Sequence, residues 1–181
     1  MKNGISVDTT LGLSLQCGIM HNNRCGDIDP YIIFYLAEEC GMTLREIKEM
    51  LQTKSGFLGM SGGISGDLRD VEEAANSGNV DCQNAIASYG YSIRKYIGSY
   101  AAAMGGLDAI VFGGGIGTNS PTLRRLALEG LQFLGAELDA DQNAAPTRSD
   151  ISVPGSKVRI YLVETNEELV VARKAAELLN Q

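Results

Sequence analysis

Apolar and polar positions follow a helical period through much of the first 104 residues of the chain. The pair Asp29-Pro30 is typical of a helix start, and Gly41 of a helix end. Thr43 and Glu46 have the spacing of a capping box, which predicts a second helix. A long third helix is predicted over 81–104. Its apolar residues share one face: Ile86, Ile93, Ile97, Ala101 and Met104.

Glycine-rich stretches and short apolar runs interrupt this helical pattern. Asn3-Gly4 predicts a tight turn, and the alternation after it predicts a strand at Ile5–Val7. Ser55–Gly66 is predicted to be a loop, because it offers few side chains for packing. The apolar runs 109–112 and 158–163 predict two buried strands. Strands that alternate with helices indicate an α/β protein.

The glycines that follow the first predicted strand are the clearest candidate for chemistry. Gly113–Gly117 predicts a turn, and Asn119–Pro121 predicts the start of a helix that extends to Gly135. The apolar side of that helix is formed by Leu123, Leu126, Leu131 and Leu134. Consecutive glycines allow backbone amides to approach an anion closely. The spacing fits neither the Walker A motif nor the dinucleotide fingerprint, so phosphate contact and a tight strand–helix turn both remain open.

Composition and charge exclude several classes of protein. The 181 residues carry 15 Lys+Arg against 22 Asp+Glu, a net charge of −7, and 44% are hydrophobic. This length suits one compact domain or two very small ones, and the acidic balance disfavours nucleic acid as a partner. We expect no membrane segment and no signal peptide, since long apolar runs are missing from the sequence. The four cysteines form no Cys-x-x-Cys pair and are expected to be free thiols in a cytoplasmic protein.

Three polar segments allow both a functional and a structural interpretation. Arg24 could clamp a phosphoryl group or a carboxylate, or it could pair with Asp27 or Asp29. Asp67–Arg69 could contact a ligand, or it could form a helix cap with a surface ion pair. Thr165–Glu168 is predicted to be a capping box, which leaves Glu167 free to bind Mg²⁺ through water.

Five ordered segments together resemble acetate kinase at similar spacing. They are Asp8–Gly12, Arg24–Pro30, Lys54–Gly59, Gly113–Ser120 and Thr165–Leu169. The resemblance covers essentially all of this chain but only about the C-terminal half of the family's usual length.

The resemblance implies an α/β, actin-like ATPase fold (the sugar kinase, Hsp70 and actin group, ribonuclease H-like) that is incomplete at its N-terminal side. Residues 1–181 would then form a single C-terminal, nucleotide-side lobe. The implied enzyme is a phosphotransferase that converts ATP and acetate to acetyl phosphate and ADP with Mg²⁺. Phosphoryl transfer of this kind depends on positioning and charge neutralisation. A small carboxylate substrate and a homodimer are implied in the same way.

Individual roles are also implied by the resemblance, residue by residue. Arg24 matches the arginine that steadies the phosphoryl group in the transition state, and Glu167 matches the acidic residue associated with magnesium. The residues matched to ATP or ADP are Asp67, Leu68 and Arg69 for adenosine and Gly115, Ile116, Gly117, Thr118 and Asn119 for the second nucleotide loop.

Several departures from the family pattern shape the expected activity. Leu15 replaces a proline of the acyl-pocket turn, His21–Asn23 replaces Met-Gly-Thr, and Gly113 and Thr118 replace a Thr and a Glu of the loop. The family's catalytic Asp, transition-state His and His-Leu-Gly-Asn-Gly loop match nothing in these residues. We therefore expect no turnover by this chain alone and a separate N-terminal half as a partner. The alternatives are a propionate kinase, a non-catalytic nucleotide-binding module and a structural remnant.

Overall fold

The computed structural model describes residues 1–179, except for the side chain of Glu167. The chain divides into two compact units, Met1–Leu107 and a second that begins at Asp108. Within the described residues, no helix is both long and apolar enough to cross a lipid bilayer.

The first unit is helical. Its helices are α1 (Tyr31–Glu38), α2 (Leu44–Thr53), α3 (Gly56–Met60), α4 (Leu68–Asn76) and α5 (Val80–Met104). The predicted capping box forms, with Thr43 and Glu46 each bonded to the other's backbone N–H. The predicted α5 is confirmed; it ends at Met104, and its C-cap Gly105 has a φ of +77°. In α5, the ring of Tyr89 packs against the ring of the fully buried Phe57, with 4.9 Å between the two ring centroids.

Two predictions for the first unit need correction. The Asn3-Gly4 turn is present, with both residues at positive φ, but Ile5–Val7 is not a strand. Pairing stops after a single bridge between Lys2 and Ile5. The predicted loop Ser55–Gly66 contains α3, because burial of Phe57 fixes one helical turn in a glycine-rich segment.

The second unit is built around two parallel strands, β1 (Ala109–Gly113) and β2 (Arg159–Val163), paired from Ala109↔Arg159 to Gly113↔Val163. Its helices are α6 (Gly114–Asn119), α7 (Pro121–Leu128), α8 (Ala140–Ala144) and α9 (Glu167–Leu179), with a 3-10 turn at Gln132–Leu134. The parallel pairing, with helices in the connection, confirms the predicted α/β class.

Three predictions for the second unit need correction. The stretch Gly113–Gly117 is not a loop, because α6 begins at Gly114 and is held by contacts with β1 and α7. The helix after Pro121 ends at Leu128 rather than Gly135, because Gly130 has a φ of +77°. The cap of α9 is Asn166 rather than Thr165, since the Asn166 Oδ1 accepts a bond from Leu169 N at 2.9 Å.

Candidate nucleotide site

An open pocket of about 740 Å³ lies at the carboxyl ends of the two parallel strands. It is lined by Gly114, Gly115, Thr118, Asn119, Pro146, Thr147, Arg148, Ser149, Leu162, Glu164 and Thr165. β1 ends at Gly113 and β2 at Val163, so the lining residues include those that directly follow each strand. In open α/β sheets, ligands bind at this carboxyl edge. Its position therefore makes the pocket the candidate ligand site of the second unit.

One wall of this pocket is bare peptide backbone. A Cβ atom added to Gly114 or Gly115 would meet nothing within 4 Å, so it would occupy open space rather than protein. The side chains of Thr118 and Asn119 fold back onto the same turn. Thr118 Oγ1 donates to the Gly114 carbonyl (2.7 Å), and Asn119 Nδ2 donates to the Gly115 carbonyl (2.9 Å). We call Gly114–Asn119 the glycine wall; a ligand can approach its main chain closely.

The exposed segment Pro146–Ser149 also lines the pocket, and it carries a cation. The Arg148 Nε donates to the Asp150 carbonyl at 2.8 Å, and its Nη2 lies 3.6 Å from Asp139 Oδ2. The Arg148 side chain nevertheless remains half exposed, so it can turn toward an anion. We call this segment the arginine wall.

The arginine wall is tied to the end of β2. Leu162 N donates to the Ser149 carbonyl at 2.7 Å, and Asp150 bridges to Tyr161. Burial alone would raise the pKa of Asp150, but hydrogen bonds from Ser152 and Arg159 lower that pKa to about 2. Sequence reasoning missed this wall, because it lies about thirty residues beyond the glycines and has no motif of its own.

Only some of the residues predicted to form the nucleotide loop line the pocket. Gly115, Thr118 and Asn119 line the pocket, whereas Ile116 and Gly117 lie in the same helix but not among the lining residues. The Gly117 carbonyl instead accepts a bond from Arg124. A nucleotide contact by any of these five residues stays a prediction.

Magnesium is the second group that the resemblance implies. Among the described side chains, no three His, Cys, Asp or Glu residues are grouped to hold a metal. Glu167 begins α9, but its side chain lies outside the described part of the chain. Glu164 and Thr165 add a carboxylate and a hydroxyl to the pocket. Mg²⁺ usually takes one or two carboxylates and completes its shell with water and phosphate oxygens, so this donor set fits a magnesium–nucleotide.

In the first unit, main-chain hydrogen bonds fix the segment that carries Arg24. The carbonyls of His21, Asn22 and Asn23 accept from Phe57 N (3.0 Å), Leu58 N (2.9 Å) and Ser55 N (2.9 Å). A Cβ at Gly56, whose φ is +61°, would lie 2.1 Å from the His21 carbonyl oxygen, so the close approach requires glycine. The pKa of His21 is lowered by partial burial and by the charge of Arg24, which favours a neutral imidazole.

The guanidinium of Arg24 does not pair with either nearby aspartate. Its Nη1 donates to the Leu15 carbonyl at 3.2 Å. Asp27 is occupied elsewhere, since its carboxylate accepts from Gly18 N (2.8 Å) and from the Tyr96 hydroxyl. Asp29 accepts from Tyr31 N at the start of α1. The ion-pair interpretation of Arg24 is therefore wrong, and its guanidinium remains partly exposed.

The Asp67–Arg69 segment is a helix cap with a surface ion pair. Asp67 is the N-cap of α4, and its Oδ1 accepts from Arg69 N at 2.9 Å. The Arg69 guanidinium bonds both oxygens of the same carboxylate. Leu68 is buried in the core, so its side chain has a packing role. An adenosine contact by these three residues stays a prediction.

The structure brings the Arg24 segment and the start of α4 together within the first unit. A Cβ at Gly66 would lie 2.4 Å from Asn23 Oδ1 and 3.1 Å from the Asn22 carbonyl oxygen. Arg24 directly follows Asn23, and Asp67 directly follows Gly66, so two of the predicted site segments are neighbours. Nothing in the sequence spacing of these segments indicates this contact.

The chain is similar to known proteins in both sequence and fold. The acetokinase family model matches residues 1–173. Acetate kinase of Heliobacterium modesticaldum is 45% identical over 176 residues, which cover 97% of this chain and 44% of that protein. Acetate kinase of Thermotoga maritima is 44% identical over 184 residues, with 100% and 46% covered. The chain spans slightly less than half the length of these relatives.

Solved structures agree with the sequence matches. Porphyromonas gingivalis acetate kinase superposes with a TM-score of 0.91 at 40% identity, over 99% of this chain and 45% of that one. A propionate kinase from Francisella tularensis gives a TM-score of 0.85 at 34% identity, over 92% and 42%. The predicted actin-like α/β fold is confirmed by these neighbours. From the family match and the shared fold, the chain belongs to the acetokinase family.

Proposed function

We propose that this chain is the nucleotide-side lobe of an acetate kinase, with residues 1–181 acting as one functional lobe. The reaction is transfer of the γ-phosphoryl group of ATP to acetate, giving acetyl phosphate and ADP. The observation that carries the proposal is the pocket at the carboxyl edge of β1 and β2, whose lining includes both bare backbone and Arg148. Family membership supports the same activity.

The nucleotide phosphates lie between the two walls in this proposal. Gly115, Thr118 and Asn119 present main chain and short polar groups, and Arg148 supplies the positive charge. Ile116 and Gly117 shape the same turn. Bound Mg²⁺ would neutralise charge on the phosphate oxygens, and Glu167 and Glu164 are the carboxylates available to hold it. The chain's own net charge of −7 makes such local positive groups necessary for an anionic ligand.

The first unit carries the other residues to which this proposal assigns a role. Arg24 steadies the transferred phosphoryl group, because among the described residues its guanidinium has no carboxylate partner and donates to the Leu15 carbonyl. A planar guanidinium matches the oxygens of a phosphoryl group in flight. Asp67, Leu68 and Arg69 form the adenosine side, through the exposed start of α4.

The complete reaction requires groups beyond those of this polypeptide. The family's catalytic acid and transition-state histidine match none of the 181 residues, so we propose that the polypeptide alone turns over no acetate. A polypeptide equivalent to the N-terminal half would supply them, within a homodimer in the cytoplasm. The free thiols of Cys17, Cys25, Cys40 and Cys82 are compatible with a reducing compartment.

Calorimetry with Mg-ADP and an acyl-hydroxamate assay test the proposal together. We expect Mg-ADP to bind the chain alone, hydroxamate to be undetectable with the chain alone, and hydroxamate to appear when the N-terminal half of an acetate kinase is added. R24Q should abolish the restored activity and leave Mg-ADP binding unchanged. Absence of Mg-ADP binding would favour a structural remnant, whereas binding without restored turnover would favour a nucleotide-binding module.

Propionate is the second candidate substrate. Leu15, which replaces a proline of the acyl-pocket turn, has an exposed side chain, and its carbonyl holds Arg24. A change at this position can therefore alter the acyl side without loss of the arginine contact. The restored enzyme should be assayed with acetate and propionate in parallel, and a higher kcat/KM for propionate would favour a propionate kinase.

A further inference from the structure

Arg124 is a fully buried cation in the second unit, with 1% of its surface exposed. Its Nε donates to Asn143 Oδ1 (2.7 Å), and its Nη2 donates to the Asn143 carbonyl (2.7 Å). Its Nη1 donates to the carbonyls of Gly117 and Thr118, both at 2.9 Å. All of these acceptors are neutral amide oxygens. A buried guanidinium with neutral partners is costly, so its retention calls for a reason beyond packing.

The hydrogen-bond acceptors of Arg124 lie in the glycine wall and in the helix just before the arginine wall. Gly117 and Thr118 are part of the glycine wall, and Thr118 lines the pocket. Asn143 lies in α8, which ends at Ala144, just before the arginine wall begins at Pro146. One guanidinium therefore joins the glycine wall to the helix that precedes the arginine wall. Its planar, fixed array of donors suits this task better than a flexible ammonium group.

Asn143 is itself held in a single orientation. It is buried, and its Nδ2 donates to the Pro121 carbonyl at 3.0 Å while its Oδ1 accepts from Arg124. Pro121 begins α7, the helix that carries Arg124. The two side chains and the start of α7 thus form a closed set of hydrogen bonds.

We propose that Arg124, seated on Asn143, is a positioning residue that fixes the glycine wall relative to the arginine wall. The bonds act through the wall backbones, and Arg124 itself makes no contact with the ligand. The identity of the ligand rests on the proposed function, but the coupling of the two walls does not.

Hydrogen exchange of the ligand-free chain tests the coupling directly. In R124M, amides of both walls should exchange about tenfold faster or more, because two carbonyls and Asn143 lose their donor. N143A should speed exchange of the arginine wall and leave the glycine wall within about twofold, since Arg124 keeps its bonds to Gly117 and Thr118. If R124M does not fold, the contrast between N143A and the parent chain still decides the question.

Two control variants separate positioning from loss of stability. R125M changes the neighbouring, exposed arginine of α7 and should leave both walls unchanged. V158A removes methyl groups from a core position with 2% exposure and should speed exchange across the whole second unit. Uniform acceleration in R124M, or acceleration of one wall alone, would overturn the proposal.

Mg-ADP binding gives a second, separate readout. R124M should weaken binding by about tenfold to a hundredfold, because small displacements of positioning groups have large effects on ligands. R124K keeps the charge, but its single side-chain nitrogen cannot bond the acceptors at both walls. Its Mg-ADP affinity should therefore be as low as that of R124M. An affinity equal to that of the parent chain would overturn the bridging role. If R124M and N143A change hydrogen exchange as expected but the parent chain binds no Mg-ADP, the proposed function is refuted and the coupling of the two walls stands.

Discussion

Arg69 bonds both carboxylate oxygens of Asp67, at 3.0 Å from its Nε and 2.6 Å from its Nη2, across the exposed first turn of α4. These bonds, together with that from Arg69 N, lower the pKa of Asp67 to about 2, below its ordinary value of 3.8. The carboxylate thus caps the helix and orients the guanidinium at once. An adenosine bound beside Asp67 would contact a guanidinium whose orientation is already fixed.

The first prediction concerns stability at acid pH. Because the folded-state pKa of Asp67 is lowered, its contribution to stability is fully present above pH 3.8 and is lost as the pH falls toward 2. The melting temperature of D67N should therefore lie below that of the parent chain at pH 5 and converge with it near pH 2. A difference between the two chains that stays constant from pH 6 to pH 2 would contradict this.

The second prediction concerns the glycine beneath the Arg24 segment. G56A places a Cβ against the His21 carbonyl at a φ of +61°, so we expect the free energy of unfolding to fall by about 3 kcal/mol or more. G63A is the matched control, because it has a φ of +87° but open space around the added Cβ. It should cost only about 1–2 kcal/mol. Urea unfolding of both variants measures the difference, and equal losses would refute the close-approach argument.

The third prediction separates stability from binding at the glycine wall. G115A adds a methyl group inside a helix and into open space, so stability should be unchanged or rise by up to about 1 kcal/mol. The same methyl group would block close approach of the ligand, so Mg-ADP binding should weaken by about tenfold or more.

G98A in α5 is the control for that prediction. It has equally open space but lies outside the pocket, so it should give the same gain in stability with unchanged binding. Calorimetry and thermal unfolding report the two effects. Parent-like affinity of G115A would exclude the glycine wall as a ligand surface.

The fourth prediction concerns Arg148. R148Q should weaken Mg-ADP binding by about tenfold and flatten its salt dependence, because a charge-assisted hydrogen bond is lost. The free energy of unfolding should change by less than about 1 kcal/mol, since the side chain is half exposed. R125Q is the control of the same residue type in the same unit. Equal effects of R148Q and R125Q on binding would show a general charge effect and contradict the assignment.

Local chemistry explains which elements the sequence could predict. The Thr43–Glu46 box, the Ser120 cap with its following proline, and the two apolar runs that form β1 and β2 depend on residues within a few positions of one another. Such features act before tertiary contacts exist, so their patterns are visible in a single sequence.

Tertiary contacts explain what the sequence could not predict. Arg124 and Arg125 are adjacent and chemically alike, yet the first is buried and the second exposed. The acceptor that decides between them, Asn143, lies 19 positions away. The α6 helix escaped prediction for a related reason. Glycine disfavours helices, and the packing of this turn against β1, β2 and α7 overrides that preference.

The three carbonyls that anchor the segment before Arg24 have a consequence for sequence variation. Every amino acid carries a carbonyl, so the anchoring of positions 21–23 does not depend on which side chains stand there. The side chains of His21, Asn22 and Asn23 can therefore be exchanged without loss of the three hydrogen bonds that hold the segment before Arg24. Substitutions at these three positions are free to tune the surroundings of the guanidinium without moving it.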